Sequence, residues 1–371
     1  MKTIGFCIIV KNESHVIERC LNSVRPLIDY VLIVDTGSTD GTQDTVRNWL
    51  VNNEIKGEVI DEEWQNFAYN RTFALEKLRE IDWIDYALMI DADEILNYNQ
   101  DFDPVSFKSN LDCDYYDIQT NMGGHIYTRP QLTSNKRNFR YVGVVHEFLD
   151  LSSGGSRGYV EGFQNMPIQD SARNKQINKF LGDISLLEKA IADEPDGSWI
   201  ASRYMFYLAQ SYRDSGNPEK ALECYLKRAD MGYWAEEQYV SLYNAGNLMR
   251  DFGYPQSEII QTYMRANEIA PHRAEALYGV VNYCRLNALH QQGFIVGKHA
   301  INIPMPKDSL FTETWIYNYA LLDEFAIVAF WSRNYKESKE VCERLLNESK
   351  LPQNYIPRIQ QNLQFAIDRL N

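Results

Sequence analysis

The sequence predicts an α/β domain built on a mostly parallel sheet, followed by an all-α domain of repeated helix pairs. Three observations lead there. Over the first ninety residues, apolar runs alternate with stretches of helical spacing, the order that gives parallel strands joined by right-handed crossovers. From about Asp170 the composition shifts to helix formers and stays so to the end. Inside that second half a residue pattern recurs after 36 positions, from Tyr207 to Tyr243. At 371 residues the chain exceeds one ordinary core, and we expect domains of 1–168 and 169–371.

The elements follow in order. Ile4–Val10 is a continuous apolar run, as in a strand buried on both faces. Asn12 or Ser14 is placed to cap a helix whose apolar positions are Ile17, Leu21 and Val24. Tyr30–Val34 is the second strand. It stops at Asp35-Thr36-Gly37-Ser38-Thr39-Asp40-Gly41, a turn-forming cluster that also caps the helix carrying Val46, Trp49 and Leu50. Glu58–Ile60 is a weaker third strand, with a helix from about Ala68 to Glu80 behind it. Tyr86–Ile90 is the fourth. In this order the ends of strands one, two and four share an edge, which brings Asn12, Asp35 and Asp93 together. Beyond Tyr98 the pattern loosens. Tyr115–Thr120 and Arg140–Val145 are strand candidates, the second ending at His146-Glu147.

The fourth strand runs directly into Asp91-Ala92-Asp93-Glu94. Asp91 and Asp93, two residues apart, share a face in extended chain and can converge on one cation. Hard divalent ions are held by one or two carboxylates plus substrate phosphates. The same four residues would equally serve as a cap for a following helix.

In the helical half, Tyr207, Ala209 and Tyr212 have counterparts at Tyr243, Ala245 and Leu248, and again at Tyr278, Val280 and Tyr283. Gly216 and Gly253 fall at matching turns, and Gly216–Ala221 is echoed by Arg333–Ser338. A period near 34 with small residues where helices touch is the tetratricopeptide signature, and stacked pairs of this kind present a surface suited to binding a chain. Tyr204, Phe206, Tyr207, Tyr212, Tyr233 and Trp234 follow the helix seam and are expected mostly in the repeat core.

Composition excludes several classes. A net charge of −14 argues against nucleic acid as a partner. The six cysteines are scattered without zinc or redox spacing, and no stretch approaches a membrane span. Asn12-Glu13-Ser14 and Asn70-Arg71-Thr72 match glycosylation acceptors but fall inside the expected site. A reduced, cytoplasmic protein is the expectation.

Four motifs in order, Ile9–Glu13, Ile33–Thr42, Phe67–Arg71 and Ile90–Glu94, closely resemble family 2 glycosyltransferases of the GT-A fold. Phe206–Arg213 and Pro271–Tyr278 look like the tetratricopeptide region attached to one branch of that family. The likeness covers nearly the whole chain. It implies a metal-dependent, inverting glycosyltransferase that uses a nucleotide sugar, uridine diphosphate being the expected carrier and Mn²⁺ or Mg²⁺ the ion. A peptide, protein or glycan would be the acceptor. The repeats would present that acceptor or pair two subunits.

Residue by residue, the resemblance gives Asp35 to the base and lays Val10, Asn12 and Glu13 against base and ribose. It turns Arg71 to the nucleotide; the alternative for Arg71 is a solvated residue paired with Glu76. Asp91-Ala92-Asp93 would bind the donor, Asp93 as direct metal ligand and Asp91 at the ribose or a metal-bound water. Glu147 is the expected base that takes the acceptor's proton, with Glu94 its rival, and His146 would ligate the metal or orient the acceptor. Two departures stand out: Thr36 where many members carry a second acid, and Gln169-Asp170 where related enzymes place a histidine. They motivate the competing reading of a non-catalytic nucleotide-binding scaffold. A nucleotidyltransferase is disfavoured, because Lys11-Asn12-Glu13 stands where its glycine-rich phosphate loop would be. Arg129, Lys136, Arg137 and Arg140, and then Arg173, Lys175 and Lys179, are basic segments that would flank the diphosphate or remain solvated.

Overall fold

A computed structural model describes residues 1–122, 125–175, 179–307, 309–348 and 350–371. It comprises two compact units, Met1–Ala190 and Ile191–Asn371.

The first unit opens with β1 (Ile4–Val10), α1 (Ile17–Val24), β2 (Tyr30–Asp35), α2 (Thr42–Asn52), β3 (Lys56–Asp61), α3 (Phe67–Arg79) and β4 (Tyr86–Leu88). These form the parallel half of a sheet ordered β3-β2-β1-β4, with Val10 level with Asp35 and Ile4 level with Tyr86. The continuous apolar runs have the predicted cause. Phe6 and Ile8 pack on the α1 and α2 side, while Cys7, Leu32 and Val34 pack against Ala74, Leu75 and Leu78 of α3. Both faces of these strands are covered, and each large aliphatic side chain so buried contributes about 1.5–3 kcal/mol. Gly5 lets α3 come close; a Cβ there would meet Leu78 Cδ1 at 2.8 Å.

The chain continues as β5 (Glu94–Tyr98), α4 (Pro104–Ser109), β6 (Tyr115–Met122), β7 (His125–Ser134), β8 (Arg140–Val142), β9 (Phe148–Asp150), β10 (Arg157–Tyr159), β11 (Phe163–Pro167) and α5 (Lys179–Asp193). β7 runs antiparallel beside β4 and extends the sheet through β6 and β11 to β5, with β10 also on β6. β8 and β9 make a separate hairpin.

Four expectations are corrected. Asp91–Glu94 caps no helix, because Glu94 begins β5, which pairs antiparallel with β11. Neither Asn12 nor Ser14 caps α1: its N-cap is Val16, with no side-chain bond, and Asn12 turns instead to the β2–α2 turn. The strand expected over Arg140–Val145 ends at Val142, where Gly143 (φ +106°) and His146 (φ +52°) bend the chain into the β8–β9 turn that carries Glu147. Finally, the chain past residue 168 stays with the first unit. Ile168 N donates to Asp93 O, and Arg19 is paired with Asp170 at 2.6 Å.

The second unit contains α6 (Trp199–Asp214), α7 (Pro218–Asp230), α8 (Ala235–Asp251), α9 (Gln256–Ile269), α10 (Glu275–Leu286) and α11 (His290–Ala300). A π-helical turn (Ile316–Ala320) leads into α12 (Leu321–Trp331), followed by α13 (Tyr335–Glu348) and α14 (Ile356–Leu370). The recurrent small positions Ala209, Ala245 and Val280 are buried where neighbouring helices meet. Gly216 (φ +80°) and Gly253 (φ +71°) end α6 and α8 in the left-handed conformation that glycine adopts at little cost. Of the seam aromatics, Tyr204, Phe206 and Tyr212 are buried, whereas Tyr233 and Trp234 are exposed.

Candidate functional site

A cavity of about 630 Å³ opens at the carboxyl ends of β1, β2 and β4, the edge where open α/β sheets bind ligands. Val10, Asn12, Glu13, Thr36, Arg71, Asp91, Ala92, Asp93, His146 and Glu147 all line it. Asp35, level with Val10 and next to Thr36, lies behind this wall.

Each side chain is set by its element. Asp35 ends β2 fully buried; its Oδ1 accepts from the N–H groups of Gly37 and Ser38, while Oδ2 is closed off from solvent with no donor among the described residues. A buried carboxylate oxygen left without a donor carries a desolvation cost that an incoming N–H would relieve. Asn12 (φ +59°) accepts from Thr39 N and takes Ser38 Oγ at its own N–H, which ties the end of β1 to the β2–α2 turn. Thr36 donates its hydroxyl to Val10 O at 3.0 Å, so that side chain is spent on the backbone.

Arg71 on α3 is buried and does not pair with Glu76. Its Nε donates to Glu147 Oε1 at 2.6 Å, and its Nη2 is ion-paired with Asp91. One guanidinium therefore joins the end of β4 to the β8–β9 turn. Burial raises the Asp91 pKa, but Arg71 and Arg129 outweigh it and hold Asp91 below the ordinary carboxylate range. Glu94 behaves oppositely. Burial first and then the charge of Asp91 raise it, although Arg129 pairs with it and Asn165 donates to it at 2.8 Å. Glu94 is thus a buried structural acid that also accepts from Asp91 N, and it does not line the cavity.

Asp93 is 8% exposed, and its Oδ2 accepts from Ser171 N and Asn174 Nδ2, both at 3.2 Å. Beside it both carboxylate oxygens of Glu13 accept from Ala172 N. Burial pushes Glu13 up to about 7, with the Ala172 N–H opposing and the nearby Asp93 charge adding to the rise.

Ser171, Ala172, Asn174 and Trp64 also line the cavity and lie outside every motif read from the sequence. No spacing marks them. The only available signal was a run of polar donors directly after the last strand. Arg129 and Arg173 of the two basic segments reach the cavity, Arg173 stacked 4.4 Å over Phe67 and paired with Asp183 at 2.5 Å. Lys136, Arg137 and Arg140 instead bind backbone carbonyls or nearby acids. The Gln169 side chain donates to Met122 Sδ, while Ile168 N and Ser171 N on either side of it bond Asp93.

Among the described residues no three His, Cys, Asp or Glu side chains gather into a metal cage. The donors that do converge are hard carboxylate oxygens, which suit Mg²⁺ or Mn²⁺ shared with substrate phosphates. With Asp91 committed to Arg71, Asp93, whose two hydrogen-bond donors are neutral, is the carboxylate suited to direct ligation.

The model for glycosyl transferase family 2 matches residues 6–105, the span that holds all four motifs. The prophage-derived glycosyltransferase SunS of Bacillus subtilis (strain 168) is 26% identical over 245 residues, covering 62% of this chain and 54% of that protein. An uncharacterized glycosyltransferase of Rickettsia felis is 40% identical over 97 residues, 26% of this chain and 31% of the relative. The chain thus spans about half the length, or less, of these relatives. A crystal structure of S. aureus TarS 1-349 in complex with UDP-GlcNAc aligns over 84% of this chain and 97% of that one, at 13% identity and a TM-score of 0.38. Motifs and family match agree on one stretch: residues 6–105, on the parallel half of the sheet, carry a family 2 glycosyltransferase domain, and the unit that follows in sequence is built of paired helices.

Proposed function

We propose that this chain transfers a sugar, with inversion, from a nucleotide-sugar donor to a nucleophile on a peptide, protein or glycan acceptor, and that uridine diphosphate is the carrier. One observation carries the reading: residues far apart in sequence, Arg71, Asp91, Asp93 and Glu147, line a single cavity at the carboxyl edge of the sheet.

The roles follow from chemistry. The unpaired Oδ2 of Asp35 would accept an imide N–H such as that of uracil once the donor displaces the wall in front of it. Arg71 is ion-paired and buried, so it holds Asp91 ionised toward the ribose and orients Glu147 through one carboxylate oxygen. The other oxygen of Glu147 takes the proton from the acceptor hydroxyl as that oxygen bonds to the sugar's anomeric carbon. The bond from that carbon to the diphosphate oxygen breaks in the same displacement, and the nucleoside diphosphate leaves with the electron pair. No protein nucleophile is required. Asp93 would hold Mn²⁺ or Mg²⁺, which when bound stabilises the developing diphosphate charge. Glu13 and the amides of Ser171 and Ala172 fix the wall beside Asp93.

Turnover of a panel of nucleotide sugars, measured with each ion and with a chelator, tests the reading. Activity should require the ion and fall about a hundred-fold or more in Asp93→Ala, the scale of several kcal/mol of charge stabilisation. Activity indifferent to both would remove the metal from the mechanism. Tight nucleotide binding without transfer or hydrolysis would replace the enzyme with the scaffold reading.

A further inference from the structure

The helical unit holds a segment of its own chain in the manner of a ligand. Between α11 and the π-helical turn, residues 310–315 (Leu-Phe-Thr-Glu-Thr-Trp) cross three successive helix pairs. Leu310 is gripped at both main-chain groups: its N–H donates to Glu236 Oε2 at 3.0 Å and its carbonyl accepts from Arg273 Nη1 at 2.8 Å. The Phe311 ring lies parallel to Phe206 of α6, centroids 6.2 Å apart. Glu313 accepts from Tyr243 OH of α8 at 3.2 Å, and the Trp315 indole meets Tyr278 of α10 edge to face at 5.3 Å.

This is an unusual way to hold a loop. Phe311 is 56% exposed and Trp315 40%, so the segment's large side chains rest on the helices rather than in the core. Phe311 also sits at φ +51°, a left-handed conformation that costs free energy in a bulky residue. Two of the receiving groups are also held from outside the segment. Arg273 is held by Glu236 and Glu275, both at 2.7 Å, and Phe206 packs edge to face on Tyr207. Receptor groups partly fixed by the helices, occupied by a strained and exposed segment, describe a binding site with a substitute in it.

We propose that residues 310–315 are an internal stand-in, and that this face of the helical unit binds a peptide partner of aromatic–x–acidic–x–aromatic spacing, the chemistry of Phe311, Glu313 and Trp315. The partner displaces the segment to bind. The proposal stands apart from the transferase reading and survives or fails without it.

The test uses the full chain and a fluorescent peptide of sequence 309–316. In an opened variant, with Leu310→Gly, Phe311→Ser, Thr312→Gly and Glu313→Ser, the peptide should bind about ten-fold or more tightly than to the unsubstituted chain, because the bound state no longer competes with the segment. A peptide with Ala and Gln at the Phe and Glu positions should lose that binding. Should the opened variant fail to fold, Phe311→Ala in the full chain takes its place. Excess peptide should also speed amide exchange at 310–315 in the unsubstituted chain. Folded variants that bind the peptide no better than the parent, or bind the altered peptide equally, overturn the proposal. So does an opened variant that pairs with a second copy of the chain yet ignores free peptide.

Discussion

At the scale of single residues, the site turns on Arg71. A solvated arginine on a helix would contribute little, but a buried guanidinium between two carboxylates fixes both their charge and their direction. On the proposed mechanism, Glu147 would act as a base only while Arg71 leaves one of its oxygens to the acceptor. Glu147→Gln keeps the shape and a hydrogen-bond acceptor for Arg71 but cannot take a proton. We expect kcat to fall about 10²–10⁴-fold, with donor KM nearly unchanged, in steady-state assays over a donor series. A proportional rise in donor KM instead would make Glu147 a donor-binding residue. Glu94, weighed as the rival base, is excluded by its place behind the wall and its pairing with Arg129.

At the scale of elements, close approach and buried charge decide the helical unit. Tyr263 of α9 fits between Gly246 of α8 and Gly279 of α10, where an added Cβ would lie 2.5 and 2.6 Å from its ring. Glycine usually weakens a helix, so Gly→Ala on an exposed face would stabilise. Here Gly279→Ala should destabilise by about 1–3 kcal/mol through overpacking, read as a lower urea midpoint at unchanged slope.

Glu275 at the start of α10 argues the pH dependence. Burial would raise its pKa, but the hydrogen bonds from Arg273 and Tyr317, at 2.7 and 2.6 Å, bring it below its ordinary value of 4.5. The stabilisation is therefore present above pH 4.5 and is lost as pH falls through the lower folded value. Glu275→Gln should cost about 3 kcal/mol at neutral pH, because it leaves Arg273 short of a buried partner, and should flatten the acid limb of unfolding below pH 4.5. Equal acid limbs in the two proteins would contradict this.

At the scale of the molecule, a donor that binds the folded chain must raise its stability by mass action. Saturation at about a hundred times Kd adds about 2.7 kcal/mol. A nucleoside diphosphate with Mn²⁺ should therefore raise the melting temperature, and uridine should exceed cytidine if Asp35 awaits an imide N–H. Asp35→Ala should remove that preference while leaving the response to diphosphate and metal in part. A shift blind to the base would separate Asp35 from recognition.

Much of this was legible in the sequence, for a local reason. Runs such as Ile4–Val10 could be buried on both faces only in a covered parallel sheet, and parallel order by itself lines up the ends of β1, β2 and β4. That is why Asn12 and Asp93 reached one cavity as expected, with Asp35 of the same edge buried just behind its wall, and why the spacing of Ala209, Ala245 and Val280 disclosed the repeats. What tertiary structure alone decided are meetings between segments with no shared periodicity. Arg71 and Glu147 are 76 residues apart, and the turn that brings Glu147 back was expected to be a strand. The chain past residue 168 returns to Asp93 and Glu13 through backbone amides, which every sequence has and none advertises. The segment at 310–315 lies across α6, α8 and α10, the first of which begins over a hundred residues earlier. Side-chain periodicity reports which face of an element is buried; which other segment comes to cover it is settled only when the whole chain competes for the same surface.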